Sequence, residues 1–289
     1  LVLDYYRPGD TREALDCLKK SPHSSKILAG GTDLIIQMRE RSAAPEYIID
    51  IGGIPELKEI KIAGDTLVIG GTATFADIES APAVKQHVPI LARAAGSVGS
   101  PQIRNTGTVG GNIVNAAPAA DMIPALLALE ARVELKGLSG DRTPGLEEIL
   151  MGVNKTGIMP DEILTGVNIP LPGPDTYGAF VKLGRRKALA IARLNLGLVL
   201  AIEGKRVSRC FLALGSVGVT AYRAREVEEL LAGKELNDGL EAAACQLLSE
   251  TVAKKLGNRP TASYKKVIAG AALKRAFTEI RGLMGGIGQ

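Results

Sequence analysis

The stretch Leu28–Met38, LAGGTDLIIQM, decides how this chain begins to fold. An apolar run stops at Gly30-Gly31, and beyond Thr32 and Asp33 the apolar residues Leu34, Ile35 and Met38 recur at helical spacing. A strand that hands over to a helix needs one glycine for its turn. A second glycine implies that something approaches the backbone closely. A helix start presents unpaired N–H groups and the positive end of the helix dipole, so the ligand that suits this place is an anion such as a phosphate. Thr32 adds a hydroxyl, and Asp33 is placed to cap the helix. The alternative is a tight turn with a helix cap and no ligand.

A related stretch lies further along. In GTVGGNIVNAAPAADMIPALLALEARVEL a short apolar strand is expected to meet Gly110-Gly111, with a helix following after a delay. Thr108 and Asn112 flank that pair with a hydroxyl and an amide, and Asp121 precedes the helix MIPALLALE. A simple helix cap is the other reading of Asp121. Two glycine loops can hold the two phosphates of a dinucleotide between them. Gly70-Gly71-Thr72 is a third pair, with no sign of being more than a turn. The chain contains neither G-x-G-x-x-G nor G-x-x-x-x-G-K-[ST], which disfavours a nicotinamide Rossmann fold and a P-loop hydrolase. G-x-S-x-G and H-E-x-x-H are absent too.

The remaining pattern supplies the scaffold. Asp10 and Glu13 form a capping box before the helix TREALDCLKKS. KILA and YIID are strands, and a helix runs from Thr32 to about Arg41. LKEIKI and LVIG flank Ala63-Gly64-Asp65 as a hairpin. TFADIES is a short helix capped by Thr74, and another helix covers Val84 to Gly96. EILTGVNIPLP is a strand stopped by Pro170 and Pro172. Pro170–Gly178 has three prolines and two glycines in nine residues, which makes it the expected domain boundary. Beyond it come the strands YGAFVKLG, LNLGLVLAIE and VSRCFLALGSVG, then the helices AREVEELLAGK, GLEAAACQLLSETVAKKL and YKKVIAGAALKRAFTEI. Strands followed by helices indicate α+β rather than a doubly wound sheet.

Composition narrows the function. The chain has 289 residues, 46% hydrophobic and 23% charged, enough for two domains. A net charge of +4 is too small to argue for nucleic acid, and 3% aromatics without tryptophan leaves little for base stacking. Cys17, Cys210 and Cys245 are scattered and odd in number, which suggests a reducing cytoplasm. His23 and His87 are the only histidines and sit in no metal-ligand spacing. No run of apolar residues is long enough for a membrane span. LVLDYYRPGD lacks the features of a signal peptide.

Taken together, ILAGGTDLIIQM, SPQIRNTGTVGGNIVNAAPAADMIPALLALEA and EILTGVNIP resemble the FAD-binding medium subunit of molybdenum hydroxylases. That family includes carbon monoxide dehydrogenase, nicotinate dehydrogenase and bacterial xanthine dehydrogenase. The resemblance continues through FVKLGRRKALAIARLN to RPTASYKK near the C-terminus. It implies an α+β fold: a vanillyl-alcohol-oxidase (PCMH) type FAD-binding domain of two subdomains over residues 1–174, and a small domain of sheet and helices over 175–289. It implies that Ala29, Gly30, Gly31, Thr32, Asp33 and Leu34 cradle the FAD pyrophosphate, with Ile27 and Leu28 leading in. Thr108, Gly110, Gly111 and Asn112 would form a second wall, Asp121 a further polar contact, and Lys182 a flavin-proximal lysine. One departure stands out. Many relatives carry an acidic residue after the paired arginines, and none occurs here from Lys187 to Arg193.

The resemblance implies an electron-transfer subunit with no catalytic acid or base of its own. Non-covalent FAD would pass electrons from the iron–sulfur clusters of a small subunit to an external acceptor. Molybdopterin and [2Fe-2S] would reside only in partner chains, and the complex would be a cytoplasmic dimer of heterotrimers. Two rivals are a free-standing flavin reductase like UDP-N-acetylenolpyruvoylglucosamine reductase, and a non-catalytic scaffold whose glycine pairs are only turns.

Overall fold

The computed structural model describes residues 3–20, 23–186 and 190–285. Lys187–Leu189, part of the stretch that lacks an acidic residue, lie outside the described residues.

The chain opens with β1 (Asp4–Tyr6), α1 (Thr11–Lys20), β2 (Ser25–Leu28), α2 (Leu34–Arg39) and β3 (Tyr47–Asp50). The three strands form a parallel sheet in the order β1-β3-β2. Asp10 accepts from the Glu13 N–H at 2.8 Å, while Glu13 reaches back to the Gly9 N–H at 2.6 Å. The first helix is thus capped from both sides, one residue upstream of the expected box. Ala14 and Leu18 of α1 pack with Ile49, Ile51 and Ile54 as a small core of this subdomain.

A second unit follows: β4 (Ile60–Ala63), β5 (Thr66–Gly70), α3 (Phe75–Ser80), α4 (Pro82–His87), α5 (Pro89–Gly96), α6 (Pro101–Arg104), α7 (Val109–Asn115), α8 (Met122–Ala128), β6 (Arg132–Gly137), α9 (Leu146–Ile149), β7 (Leu150–Gly152), β8 (Lys155–Thr156) and β9 (Glu162–Pro170). Its antiparallel sheet runs β4-β5-β9-β6. The hairpin expected around Gly64 is present, and Thr74 and Asp77 make a full capping box for α3. The single helix expected from Val84 to Gly96 is two. Pro89 supplies no N–H and disfavours a helical conformation at Val88, which sits at φ −138°, ψ 59° between α4 and α5.

The chain ends with β10 (Thr176–Gly184), β11 (Ala192–Glu203), β12 (Arg206–Gly215), β13 (Tyr222–Arg223), α10 (Arg225–Leu231), α11 (Asp238–Leu256) and α12 (Ala262–Gly285). The strands pair antiparallel in chain order. Leu194, Leu196, Leu198 and Leu200 of β11 face α11 and α12 through a core that includes Leu248, Leu273 and Phe277. The opposite face meets α8, all seven of whose residues are buried. Its sequence MIPALLA has no polar side chain, and Pro124 falls in the first turn, where a missing N–H breaks no helical bond. A Cβ at Gly197 of β11 would stand 2.7 Å from the Pro124 carbonyl oxygen, so glycine is what lets α8 lie directly on the sheet. That contact fixes the start of α8, and with it Asp121.

Among the described residues, no helix is long and apolar enough to cross a membrane.

Candidate cofactor-binding site

The paired glycines at the end of β2 have separate reasons. Gly31 has φ +70°, a conformation that a residue with a Cβ adopts only with strain. Gly30 lies against the backbone of Thr106 and Gly107, where its own Cβ would meet the Thr106 carbonyl oxygen at 1.9 Å. The close approach inferred from the sequence is therefore partly internal: the first glycine segment is pressed onto the chain just ahead of the second.

The helix after them is shorter than expected, Leu34–Arg39 instead of Thr32 to about Arg41. Asp33 occupies the N-cap position but its side chain makes no capping bond. Among the described residues, the N–H groups of Gly30, Gly31, Thr32, Asp33 and Leu34 donate to no other group of the chain. Five successive open donors at one helix start suit an anion.

The second glycine pair is arranged differently from the expected strand and loop. Gly110 and Gly111 are the second and third residues of α7, and Thr108 is its N-cap. The Gly111 N–H donates to Thr108 Oγ1 at 3.1 Å, and the Gly110 N–H to the Gly71 carbonyl at 2.9 Å. These donors are already used. Gly110 is needed instead for packing, because its Cβ would stand 2.5 Å from the Gly71 oxygen. The third pair is thus more than a turn: Gly70 ends β5, and Gly71 supports α7. What α7 leaves open is a side chain, since Asn112 Oδ1 is buried without a partner. Thr72 Oγ1, beside the third glycine pair, is also buried and unpartnered.

The two segments lie side by side. Gln37 of α2 brings its Nε2 to 3.5 Å from Asn115 Oδ1 at the end of α7. The loop that follows passes through Ala116, in the left-handed region at φ +45°, to Asp121.

Asp121 is at the N-cap position of α8 but makes no capping bond, which sets aside the simple-cap reading. Its carboxylate is buried and bonds Lys182 Nζ at 2.5 Å and Asn195 Nδ2 at 3.1 Å. Lys182 also donates to the Ser97 carbonyl at 2.8 Å, and Asn195 to the Ala120 carbonyl at 3.0 Å. Burial pushes the Asp121 carboxyl above the ordinary carboxylate range, against the opposing pull of Lys182 and Asn195. Lys182 on β10 and Asn195 on β11 are register partners, which brings both side chains to Asp121. Asn195 is fully buried, and its Oδ1 has no partner. The sequence offered one signal for it, a lone amide in the apolar run LNLGLVLA.

Of the expected residues, Ile27–Leu34 and Thr108–Asn112 belong to neighbouring segments, and Asp121 and Lys182 form an ion pair at the start of α8. Two surface clefts, of about 550 and 280 Å³, are lined by none of them. The donor run and the unpartnered Asn112 oxygen fit a cofactor with phosphates and hydrogen-bonding groups, and the chain fits FAD on those grounds.

Two α+β sheet units followed by strands and then helices are the arrangement of an FAD-binding flavoprotein domain with a flavoprotein C-terminal domain. The chain belongs to the family described as the FAD binding domain in molybdopterin dehydrogenase, matched over residues 1–172, and residues 179–280 match the CO dehydrogenase flavoprotein C-terminal domain. It is similar to the nicotinate dehydrogenase FAD-subunit of Eubacterium barkeri, 34% identical over 96% of this chain and 95% of that one. The carbon monoxide dehydrogenase medium chain of Hydrogenophaga pseudoflava is also 34% identical, over 95% of each chain. A solved structure of carbon monoxide dehydrogenase from the same organism superposes with a TM-score of 0.91 at 33% identity, covering 98% of both chains. Quinoline 2-oxidoreductase from Pseudomonas putida 86 matches at a TM-score of 0.88 and 26% identity. The protein is thus an FAD-carrying subunit of the molybdenum-dependent oxidoreductases.

Proposed function

We propose that this chain binds one FAD non-covalently along Ile27–Leu34 and Thr108–Asn112, with Asp121 and Lys182 bounding the same site. It works beside an iron–sulfur small subunit and a molybdenum large subunit, as a dimer of heterotrimers in the cytoplasm. The FAD-binding domain is residues 1–174 and the C-terminal domain residues 175–289.

The observation that carries this reading is the run of five open N–H groups from Gly30 to Leu34. Hydrogen bonds to a charged oxygen contribute about 1.5–3 kcal/mol each, so two or three of them would hold a pyrophosphate firmly. Asn112 Oδ1 offers an acceptor to a cofactor N–H or O–H. Lys182, held between Asp121 and the Ser97 carbonyl, is a fixed cation that cannot swing away. Bound flavin supplies one- and two-electron exchange, and the chain's part is to orient it and exclude water. The relatives named as medium chains or FAD-subunits support a shared division of labour, with substrate chemistry in another chain.

Two measurements test this. Denaturation should release a yellow supernatant containing one FAD per chain; retained colour or FMN would contradict it. Anaerobic flavin bleaching by candidate purines, nicotinate, aldehydes or carbon monoxide should require the partner subunits. Bleaching of the single chain by such a substrate would favour a self-contained reductase.

A further inference from the structure

Helix α5 and strand β10 are laced together by two bonds that run in opposite directions. Arg93 Nη2 of α5 donates to the Gly178 carbonyl of β10 at 2.8 Å. Lys182 Nζ of β10 donates to the Ser97 carbonyl at the end of α5, also at 2.8 Å. Ile90, Arg93 and Ser97 recur at helical spacing and share one face of the helix, while Gly178 and Lys182 lie on one face of the strand. A Cβ at Gly178 would stand 3.0 Å from the Cβ of Ile90, so glycine lets the helix lie against the strand.

Each donor has a second hold. Lys182 pairs with Asp121. Arg93 pairs with Glu279 of α12, and its Nε is buried with no partner. A guanidinium is a rigid planar fork, so one that bonds a strand carbonyl and a carboxylate keeps both in a set geometry. Ser97 is the C-cap of α5, where open carbonyls and the negative end of the helix dipole favour a cation. Arg104 holds the turn beyond it, with Nε on Glu79 at 3.1 Å and Nη1 on the Val98 carbonyl at 3.3 Å. The helix end is thus fixed without help from the C-terminal sheet. Its separation from Lys182 is not, because Lys182 rides on β10. Arg93, one turn back along the same face, sets that separation.

We propose that Arg93 is a positioning residue for electron transfer through FAD: by clamping α5 to β10 it fixes where the Lys182 ammonium stands against the flavin. This rests on the reading above that places Lys182 at the FAD site. A cation held beside the flavin favours the reduced, more negative ring, and a cation free to drift favours it less.

The experiment measures the flavin midpoint potential of the FAD-loaded full chain by anaerobic dye titration. Lys182→Met should lower the potential by at least about 30 mV, about tenfold in the two-electron equilibrium. Arg93→Met, which leaves Lys182 in place, should lower it by about 15 mV, about threefold. The double variant should shift no further than Lys182→Met alone, because Arg93 acts through Lys182. Arg93→Gln, milder for folding, should shift the potential in the same direction as Arg93→Met. Glu279→Gln, which removes the charge on the far side of the guanidinium and leaves the bond to Gly178, should keep the wild-type potential. An unshifted potential in whichever Arg93 variant folds, beside a shifted Lys182→Met, would overturn the clamp. So would shifts that add in the double variant, or a Glu279→Gln shift as large as that of Arg93→Met, which would assign the effect to loosened packing. A wild-type potential in Lys182→Met would instead overturn the placing of Lys182 at the flavin, and the role of Arg93 with it.

Discussion

A Cβ on residue 30 would lie 1.9 Å from the carbonyl oxygen of Thr106, so Gly30 joins two segments that the sequence separates widely. Gly30→Ala must push those backbones apart, while Gly31→Ala keeps the contact and strains a φ of +70°. Overpacking of the first kind costs about 1–3 kcal/mol, and the left-handed conformation about 1–2 kcal/mol. Both variants should lose urea stability. Gly30→Ala should also weaken FAD the more, because it moves the open donors as a body. Gly173→Ala, with nothing within 4 Å of the added carbon, is the control. Equal FAD affinity in Gly30→Ala and wild type, measured by fluorescence titration, would show that the junction does not shape the site.

Asn195 tests the buried contact that holds Asp121. Asn195→Leu leaves the Asp121 carboxylate short of a donor and the Ala120 carbonyl without its partner. A lost bond of this kind costs about 1–3 kcal/mol. Asn195→Asp should be worse than Asn195→Leu, since it sets a second carboxylate beside a buried one. Chemical denaturation together with FAD titration reads the order, and a leucine variant as stable as wild type would make the amide dispensable.

The Asp121 carboxyl gives a pH dependence with a definite sign. Its pKa in the folded chain is raised by burial, so between the unfolded value, about 3.9, and the folded one the native state holds more protons than the unfolded state. Its favourable contribution is complete below the unfolded value and is lost as pH rises through the folded value. Asp121→Asn removes that loss. Unfolding free energies of the FAD-free wild type and variant should therefore diverge in the variant's favour as pH rises from strongly acidic toward neutral. Parallel curves would mean that Asp121 titrates normally.

Much of this was legible from local pattern. Thr74 capping α3, the hairpin around Gly64 and the late helices follow from residues within a few positions of one another. The helix break at Val88 was legible as well, because Pro89 stands in the sequence, yet helical periodicity on both sides masked it. The role of Gly110 was not, since it depends on Gly71 some forty residues earlier. Asp121 showed the same limit. Its place before an apolar helix fits a cap, and only the register of Lys182 with Asn195 reveals that its carboxylate is turned elsewhere. Pattern reports neighbours along the chain; these contacts are made between sheets.

Asn112 separates stability from binding most clearly. Its Oδ1 is buried on α7 with no partner, a state that works against the FAD-free fold. Alanine removes that acceptor and has the higher helix propensity, by up to about 0.7 kcal/mol. Asn112→Ala should therefore leave the FAD-free protein as stable as wild type or more so. If the same oxygen accepts a bond from the cofactor, the variant should bind FAD about tenfold more weakly, the equivalent of about 1.4 kcal/mol. The thermal shift that FAD produces should shrink accordingly, because ligand stabilisation grows with the ratio of free FAD to its dissociation constant. Melting curves with and without added FAD read both effects on the same samples. A variant less stable without FAD but unchanged in affinity would assign Asn112 to the fold and remove it from the site.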